Sequence, residues 1–352
     1  MEGIQAGGTA QQPLQGQKGK GIPGSTIKII AVAAMLIDHI GAFVLTRMII
    51  ERGYFYSAVD VNRLFAWLKD NWLLYFGMML MRLIGRLGFP IFCFLLVEGF
   101  EKTSNIKKYV FRLGLFALIS EIPFNLANTG RVWASGYQNV YFTLFLGILA
   151  LCAFDAIAKL NIQGKWLQAL FTAAGIFTLP LCVALRIRDK VTRMIRALFF
   201  SGNAHVYEMR GPMLVIIWMV LIGVMLAVWI VYRRKKGPDQ AWRMCGSMAA
   251  LAAAMTGAAL LRTDYGGMGV LTIAVMYALR KNKVRSMLGG CITLTIMSLD
   301  EVTAFFTLIP ISRYNGERGL KMKYFFYIFY PAHLLILWLI CLAMGLGGIS
   351  VV

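Results

Sequence analysis

Acidic residues are scarce in this chain: Asp and Glu together number 16, against 36 Lys and Arg, and the formal net charge is +20. In a soluble protein a surplus of that kind is typical of nucleic-acid binding. Here most Lys and Arg stand at the ends of apolar runs, where they fix topology and contact anionic headgroups. We therefore expect membrane lipids as partners, and no nucleic acid.

Several motifs that would assign a chemistry are also missing. The six cysteines are scattered through apolar runs without a Cys-x-x-Cys pair, which predicts reduced packing residues and no structural zinc. The sequence has no Walker A loop, HExxH, GxSxG or carboxylate-rich metal site, so ATP-driven transport and intramembrane metalloproteolysis are poorly supported. No metal is expected, and no cleavable signal peptide is evident.

The chain is rich in long apolar runs. Of its 352 residues 59% are hydrophobic, and the mean hydropathy is +0.68, whereas soluble domains are about 45–50% apolar. Apolar runs of about 20 residues predict an all-α, polytopic integral membrane protein. Residues 1–24, rich in Gly and Gln, are expected to form a flexible cytoplasmic tail, and residues 25–352 a single transmembrane domain. About ten transmembrane helices are predicted, at 27–50, 73–100, 108–127, 140–159, 166–185, 212–232, 242–262, 266–280, 286–309 and 324–346.

The distribution of Lys and Arg favours a multi-pass protein of the inner or plasma membrane with a cytoplasmic N-terminus and, after ten crossings, a cytoplasmic C-terminus. Residues 54–72 and 186–210 have the pattern of amphipathic interfacial helices. The stretch 185–245 is interpreted as a basic insertion with an extra span. The sequence leaves the oligomeric state open, a homodimer included.

The first predicted span contains KIIAVAAMLIDHIGA, Lys28–Ala42, with the adjacent pair Asp38 and His39 in its apolar interior. A charged residue at mid-membrane costs about 2.5–3.5 kcal/mol on insertion scales, so such residues generally face a protein-lined cavity. Residues 28 and 39 lie on one helix face, about 16.5 Å apart. This helix would hold a base in mid-membrane and a cation near one surface. The side chain of Asp38 points about 100° away from His39 and is a poorly aimed orienting partner.

The second predicted span carries Arg82 and Arg86, four residues apart and on one face. A planar guanidinium binds oxyanions bidentately, so the pair could hold the phosphates of a ligand. The alternative is that Arg82 or Arg86 pairs with Glu98 or Glu121 only to tie helices together. Glu121 lies beside Pro123, which kinks a helix and frees carbonyl groups to line a cavity.

Further polar residues could shape the acceptor end of a site: Glu98, Asn125, Asn139, Asp264, Tyr265, Asn315 and His333. Asp264 and Tyr265 precede clustered glycines, which either let the backbone approach a ligand or form a tight turn. His333 follows Pro331 and fits a hydrogen-bonded core histidine at least as well as a site residue.

Motif-like segments occur from one end of the membrane region to the other: MLIDHIGA within 28–42, RLIGRLGFPIF and VEGF within 82–100, KKYVFRLGLFALISEIPFN at 107–125, NVYFTL at 139–144, DYGGMGVL at 264–271, YNGERG at 314–319 and YFFYIFYPAHLLIL at 324–337. In these segments and their order the chain resembles the TraX family of polytopic membrane proteins, acetylases associated with N-terminal acetylation of conjugative pilin.

That family looks similar to the wider group of transmembrane acyltransferases that modify cell-surface glycans. In the group, a basic residue, ten intervening residues and a histidine recur on the first span, and Lys28 and His39 match this pattern. An arginine pair recurs on a later span, which Arg82 and Arg86 resemble. The resemblance implies acetyl-CoA as donor, His39 as catalytic base and the three basic residues as donor-binding groups. Asp38, Glu98 or Glu121 would orient the base.

The expected function is acetyl transfer from cytoplasmic acetyl-CoA to an acceptor, either a pilin N-terminus or a cell-surface glycan. Two alternatives stay open. Mid-membrane His, Arg and Glu beside Pro-kinked helices also describe a proton-coupled small-molecule transporter. The polar pairs could instead serve only helix packing in a structural subunit of a pilus or secretion assembly.

Overall fold

The computed structural model describes residues 21–199, 206–320 and 323–351. Within these ranges the chain is helical and forms no β-strand. The α-helices are α1 Gly24–His39, α2 Thr46–Glu51, α3 Tyr54–Ser57, α4 Val61–Gly85, α5 Gly88–Lys102, α6 Ile106–Thr129, α7 Val140–Lys159, α8 Lys165–Phe199, α9 Val206–Lys236, α10 Pro238–Leu260, α11 Gly266–Ala278, α12 Lys283–Met297, α13 Leu308–Arg313 and α14 Lys323–Ala343. A π-helical turn, Ile40–Leu45, joins α1 to α2, and a 3-10 helix, Leu299–Thr307, precedes α13.

Eight segments of the described chain are long and apolar enough to cross a membrane. They confirm the all-α, polytopic class, whereas the predicted count of ten spans is not confirmed. The eight are Gly24–Glu51, Val61–Lys102, Ile106–Thr129, Val140–Lys159, Lys165–Ile195, Gly211–Lys236, Pro238–Leu260 and Tyr324–Ala343. The span predicted at 266–280 is α11, whose 13 residues reach about 20 Å, short of the roughly 30 Å hydrocarbon core.

The span predicted at 73–100 is two helices, α4 and α5, that meet in the middle of the bundle. Pro90 explains the break, because a proline ring clashes with the carbonyl four residues earlier, here that of Arg86, and is tolerated in the first turn of a new helix. The residues predicted as an interfacial helix at 54–72 are divided between α3 and the beginning of α4, which bends at Asn71.

The residues predicted as a separate amphipathic helix from position 186 continue α8 to Phe199 without a break. The sequence between 181 and 199 contains neither Gly nor Pro, so nothing ends the helix where its composition turns from apolar to basic. Residues 200–205 of that predicted helix, and residues 1–20 of the predicted tail, lie outside the described ranges.

The span predicted at 286–309 is a hairpin rather than a crossing. α12 ends before the extended residue Ser298, and the 3-10 helix and α13 run back. The two ends of the hairpin meet, because the Lys283 ammonium donates to the carbonyl of Tyr314. Hydropathy alone reads two short antiparallel apolar segments as one span, which explains the error.

The described ends of the chain therefore lie at opposite ends of the bundle, here called the near end and the far end. At the near end, the amide of Gly24 donates to the carbonyl of Glu317. At the far end, where α6 finishes, the amide of Val351 donates to the carbonyl of Asn128. The described ends thus do not share one end of the bundle, whereas two cytoplasmic termini were expected; the side of the membrane that each end faces stays a prediction.

Candidate functional site

His39 ends α1 at the point where the helix widens into the π-helical turn. The Thr46 hydroxyl donates to the carbonyl of Gly41, five residues earlier, at 3.0 Å. Gly41 packs closely on α4, where an added Cβ would lie 3.0 Å from the Cβ of Met81. Single π turns inside α-helices occur frequently at functional sites, and this one lies directly beside a histidine.

The imidazole of His39 contacts a second imidazole, that of His333 in α14. Nδ1 of His39 and Nε2 of His333 are 2.6 Å apart, and the ring planes differ by 4°. Nδ1 of His333 is 2.7 Å from the carbonyl oxygen of Phe329. Residues 294 positions apart in the chain thus form one hydrogen-bonded row.

The carbonyl at the end of this row sets the positions of the protons. A carbonyl oxygen only accepts, so Nδ1 of His333 carries hydrogen and, in the neutral ring, Nε2 of His333 is an acceptor. Nδ1 of His39 must then donate to it, which leaves Nε2 of His39 as the unprotonated nitrogen. Among the described residues this Nε2 has no hydrogen-bond partner. The row therefore presents a free basic nitrogen.

Two ion pairs flank the histidine row. Arg82 Nη1 lies 2.5 Å from Asp38 Oδ2, and Arg86 Nη1 lies 3.1 Å from Glu301 Oε1. Glu301 is 1% exposed, whereas Arg82 is 32% exposed and so reaches open space. Neither arginine pairs with Glu98 or Glu121, so the predicted alternative pairing is wrong. Because α4 ends between the two arginines, each meets a carboxylate from a different element.

A cavity of about 140 Å³ opens beside these groups. Six residues singled out in the sequence line it: Asp38, His39, Arg82, Arg86, Asp264 and Tyr265. His333 lies behind His39 as its hydrogen-bond partner. Phe124, Asn128, Tyr137 and Val140 complete the wall towards the far end.

Close backbone packing brings α1 and α4 together at this wall. A Cβ at Gly85 would overlap the Asp38 carboxylate, so glycine is needed there. On the opposite wall, Tyr265 has φ +61° and stacks on Phe89 with ring centroids 3.7 Å apart. The Tyr137 hydroxyl donates to Asp264 Oδ1 at 2.6 Å. Burial raises the pKa of the Asp264 carboxyl, while that hydrogen bond opposes the rise.

Three predicted residues hold the α6–α7 connection instead of lining the cavity. Asn139 caps α7 by accepting from the amide of Tyr141 at 3.0 Å. Its amide nitrogen donates to Glu121 Oε2 at 2.6 Å. Asn125 donates to the carbonyl of Val132 at 3.4 Å. The structure thus places Glu121 in contact with Asn139 and not with His39, and it places neither asparagine in the cavity lining.

Three others lie at the near end, away from the cavity. Lys28 stands 5.6 Å from the ring centroid of Phe326. Glu98 accepts from the Tyr314 hydroxyl at 2.5 Å, and the amide of Asn315 donates to the carbonyl of Ile22 at 3.0 Å. These residues do not share a site with His39. Burial, with the hydrogen bond to Glu98, raises the pKa of the Tyr314 hydroxyl.

The structure also brings in residues that no pattern in the sequence marks as part of a site. The sequence shows Glu301 as an acidic residue in an apolar stretch, but it does not show that Arg86 is its ion-pair partner. Tyr330 packs edge-on against His39, with centroids 6.0 Å apart, and belongs to the segment that precedes His333. No motif or spacing in the sequence distinguishes Asn128 and Tyr137 from other polar residues near helix ends.

Comparisons with known proteins bear on the family to which the chain belongs. The family model described as "TraX protein" matches residues 23–183 and 168–341. A protein of Dichelobacter nodosus named "Probable fimbrial assembly protein FimC, serogroup H1" is 30% identical over 132 residues, which are 36% of this chain and 43% of that protein. The match thus spans less than half the length of this curated relative. No solved structure matches the chain.

Proposed function

The chain belongs to the TraX family, and from its histidine row we propose that it is a membrane-embedded transferase that passes an acetyl group from acetyl-CoA to an acceptor. Pilin N-termini and cell-surface glycans are the acceptor classes that fit. The name of the Dichelobacter relative, a probable fimbrial assembly protein, favours a fimbrial subunit. The membrane would be the inner or plasma membrane of the cell.

The observation that carries the proposal is the free Nε2 of His39 at a cavity wall. The acceptor hydroxyl or amine gives its proton to this nitrogen while its oxygen or nitrogen attacks the thioester carbonyl. The carbon–sulfur bond then breaks, and the thiolate takes the proton from His39. A base placed in this way contributes typically 10²–10⁴-fold to the rate.

The charge that develops on the carbonyl oxygen needs hydrogen-bond donors. Arg82 suits this role because its guanidinium has five N–H groups, and Asp38 accepts only from Nη1. The Arg82 side chain also lines the cavity. Arg86 is held by Glu301 in the same wall. Since both arginines already have carboxylate partners, we assign them to the thioester rather than to the phosphates of the donor.

The cavity limits how much of the donor it takes. Its 140 Å³ are close to the roughly 150 Å³ of a protein cavity that takes one benzene molecule. That space suits an acetyl thioester and an attacking atom, whereas a nucleotide must stay outside. Lys28, about three helical turns from His39, remains a candidate for the phosphate end of the donor.

The test is turnover of labelled acetyl-CoA by purified protein in lipid nanodiscs, followed as thiol release and as label on the protein or an added acceptor. His39→Gln should lower both rates at least a hundredfold, and Thr303→Ser, outside the cavity wall, serves as control. Equal rates for His39→Gln and wild type would refute the proposal.

A structural subunit of a pilus or fimbrial assembly is the second candidate, because both arginine–carboxylate pairs also tie helices together and because of the relative's name. A structural role predicts that His39→Gln leaves fimbrial assembly intact, whereas a variant that loses one of these arginine–carboxylate pairs fails to assemble. A fimbriation assay on both variants distinguishes the two functions.

A further inference from the structure

A second cavity lies outside the one described above, between the last turns of α8 and the hairpin formed by α12 and the 3-10 helix. Its volume is about 710 Å³, within the range of sites that hold small-molecule ligands. Most of its lining is apolar and consists of Met194, Ile292, Ile296, Leu299 and Phe305, with Thr295 and Ser298 between them.

The α8 side of this groove is cationic. Lys190 and Arg193 line it, and their spacing of three puts them on one helix face. Lys190 donates to the carbonyl of Ile296 at 3.4 Å, and Arg193 Nε donates to the carbonyl of Asp189 at 3.2 Å. Asp300, on the hairpin side, is the acidic residue in the lining. Two cations and one acid leave the lining with a net positive charge.

Helix register places these cations at the far end of the bundle. The thiol of Cys182 in α8 lies 3.7 Å from the carbonyl oxygen of Ala252 in α10, and the two helices run in the same direction. Eight residues further on, Lys190 is level with Leu260, where α10 ends. Lys190 thus stands where the apolar segments finish, which is the level of lipid headgroups.

We propose that this groove binds one anionic phospholipid of the surrounding bilayer. Its phosphate lies against Lys190 and Arg193, and its acyl chain follows the apolar wall towards the interior. Lys and Arg near a membrane surface each contribute about 1 kcal/mol to binding of anionic lipid. A zwitterionic lipid has the same acyl chains but a headgroup without net charge. The groove should therefore bind lipids with an anionic headgroup in preference to zwitterionic ones.

The 3-10 helix connects the groove to residues of the central cavity wall. The 3-10 helix that carries Asp300 and Phe305 also carries Glu301, which pairs with Arg86, and Thr303, whose hydroxyl donates to the carbonyl of Leu83 at 2.8 Å. A lipid in the groove therefore packs against the element that holds one ion pair of the site. This lipid site does not depend on the acetyl-transfer proposal.

Native mass spectrometry of the detergent-purified full chain, titrated with phosphatidylglycerol or phosphatidylcholine, tests the proposal. Wild type should retain one phosphatidylglycerol molecule more tightly than any phosphatidylcholine. K190Q/R193Q should weaken that retention about thirtyfold, the effect of two cations. K235Q/K236Q, which removes two cations at the near end of α9, should retain the lipid as wild type does.

Thr295→Trp provides a second variant that fills the groove without changing its charge, and it should abolish the single tight lipid. Equal weakening by both double variants would mean diffuse attraction and overturn the proposal. So would unchanged retention in Thr295→Trp, equal retention of the two lipids, or crosslinking of cysteines placed in the groove to a second copy of the chain.

Discussion

The hydrogen bond between the two histidines makes the most specific prediction, because it assigns the reactive nitrogen. His333→Leu removes the acceptor for Nδ1–H of His39, whereas His333→Gln restores one, since a glutamine amide oxygen can occupy the position of Nε2. If the row sets the tautomer of His39, Leu should be much more damaging than Gln, although both remove the same imidazole.

The expected size of the difference follows from the burial of the pair. His333 is 4% exposed, so water cannot readily replace the lost acceptor. A buried donor left without a partner costs about 1–3 kcal/mol. At 1.36 kcal/mol for each factor of ten, kcat for acetyl-CoA turnover should fall roughly 5- to 150-fold in His333→Leu and only a few-fold in His333→Gln.

The assay is thiol release from acetyl-CoA by each variant in nanodiscs, with thermal melting and size-exclusion profiles to establish that the variants fold. His39→Gln defines the rate without the base. If His333→Leu and His333→Gln turn over equally while His39→Gln is inactive, the second histidine does not set the tautomer of the first, and the reasoning about the row is refuted.

Three more outcomes are expected. Gly85→Ala should destabilise the protein by about 1–3 kcal/mol and lower turnover, because the new methyl group overlaps a carboxylate of α1, whereas Gly77→Ala, which meets no atom within 4 Å, should melt like wild type. Arg47→Met should lower the melting temperature and speed proteolysis of the C-terminal segment, since this fully buried arginine donates to three backbone carbonyls. Glu301→Gln should cost about 1–3 kcal/mol, because it removes the carboxylate that pairs with the partly buried Arg86, and the double change with Arg86→Gln should cost less than the sum; additive melting shifts would contradict this.

Helix periodicity in one segment was enough to find half of the site. The run from Lys28 to Ala42 shows which residues of α1 are polar in an apolar environment, and the structure places Asp38 and His39 in a cavity wall. The contact with His333 could not be derived in the same way, because no local pattern reports a pairing across 294 residues. The sequence therefore identifies both histidines as candidates but does not predict the hydrogen bond between them.

The two arginines show where a local rule misleads. Their spacing predicts a common face only if one helix contains both, and Pro90 was visible as a residue that starts a new helix. The structure ends α4 at Gly85, so Arg82 and Arg86 reach carboxylates on α1 and on the 3-10 helix. The second carboxylate, Glu301, depends on a hairpin that hydropathy cannot distinguish from a crossing.

The position of the cavity along α1 bears on how a transferase of this kind would keep its two substrates apart. On α1 and the π-helical turn the lining runs from Met35 to Phe43 and continues towards the far end. Between Lys28 and that lining, Ala31 and Ala34 are buried, so the near half of α1 is packed against its neighbours. The lining that continues towards the far end is thus the side on which the proposed acceptor would lie, whereas a donor held at Lys28 is separated from His39 by a packed layer. In the proposed transferase this packed layer would separate the two substrates, and it would have to open before a thioester from the Lys28 side reaches His39.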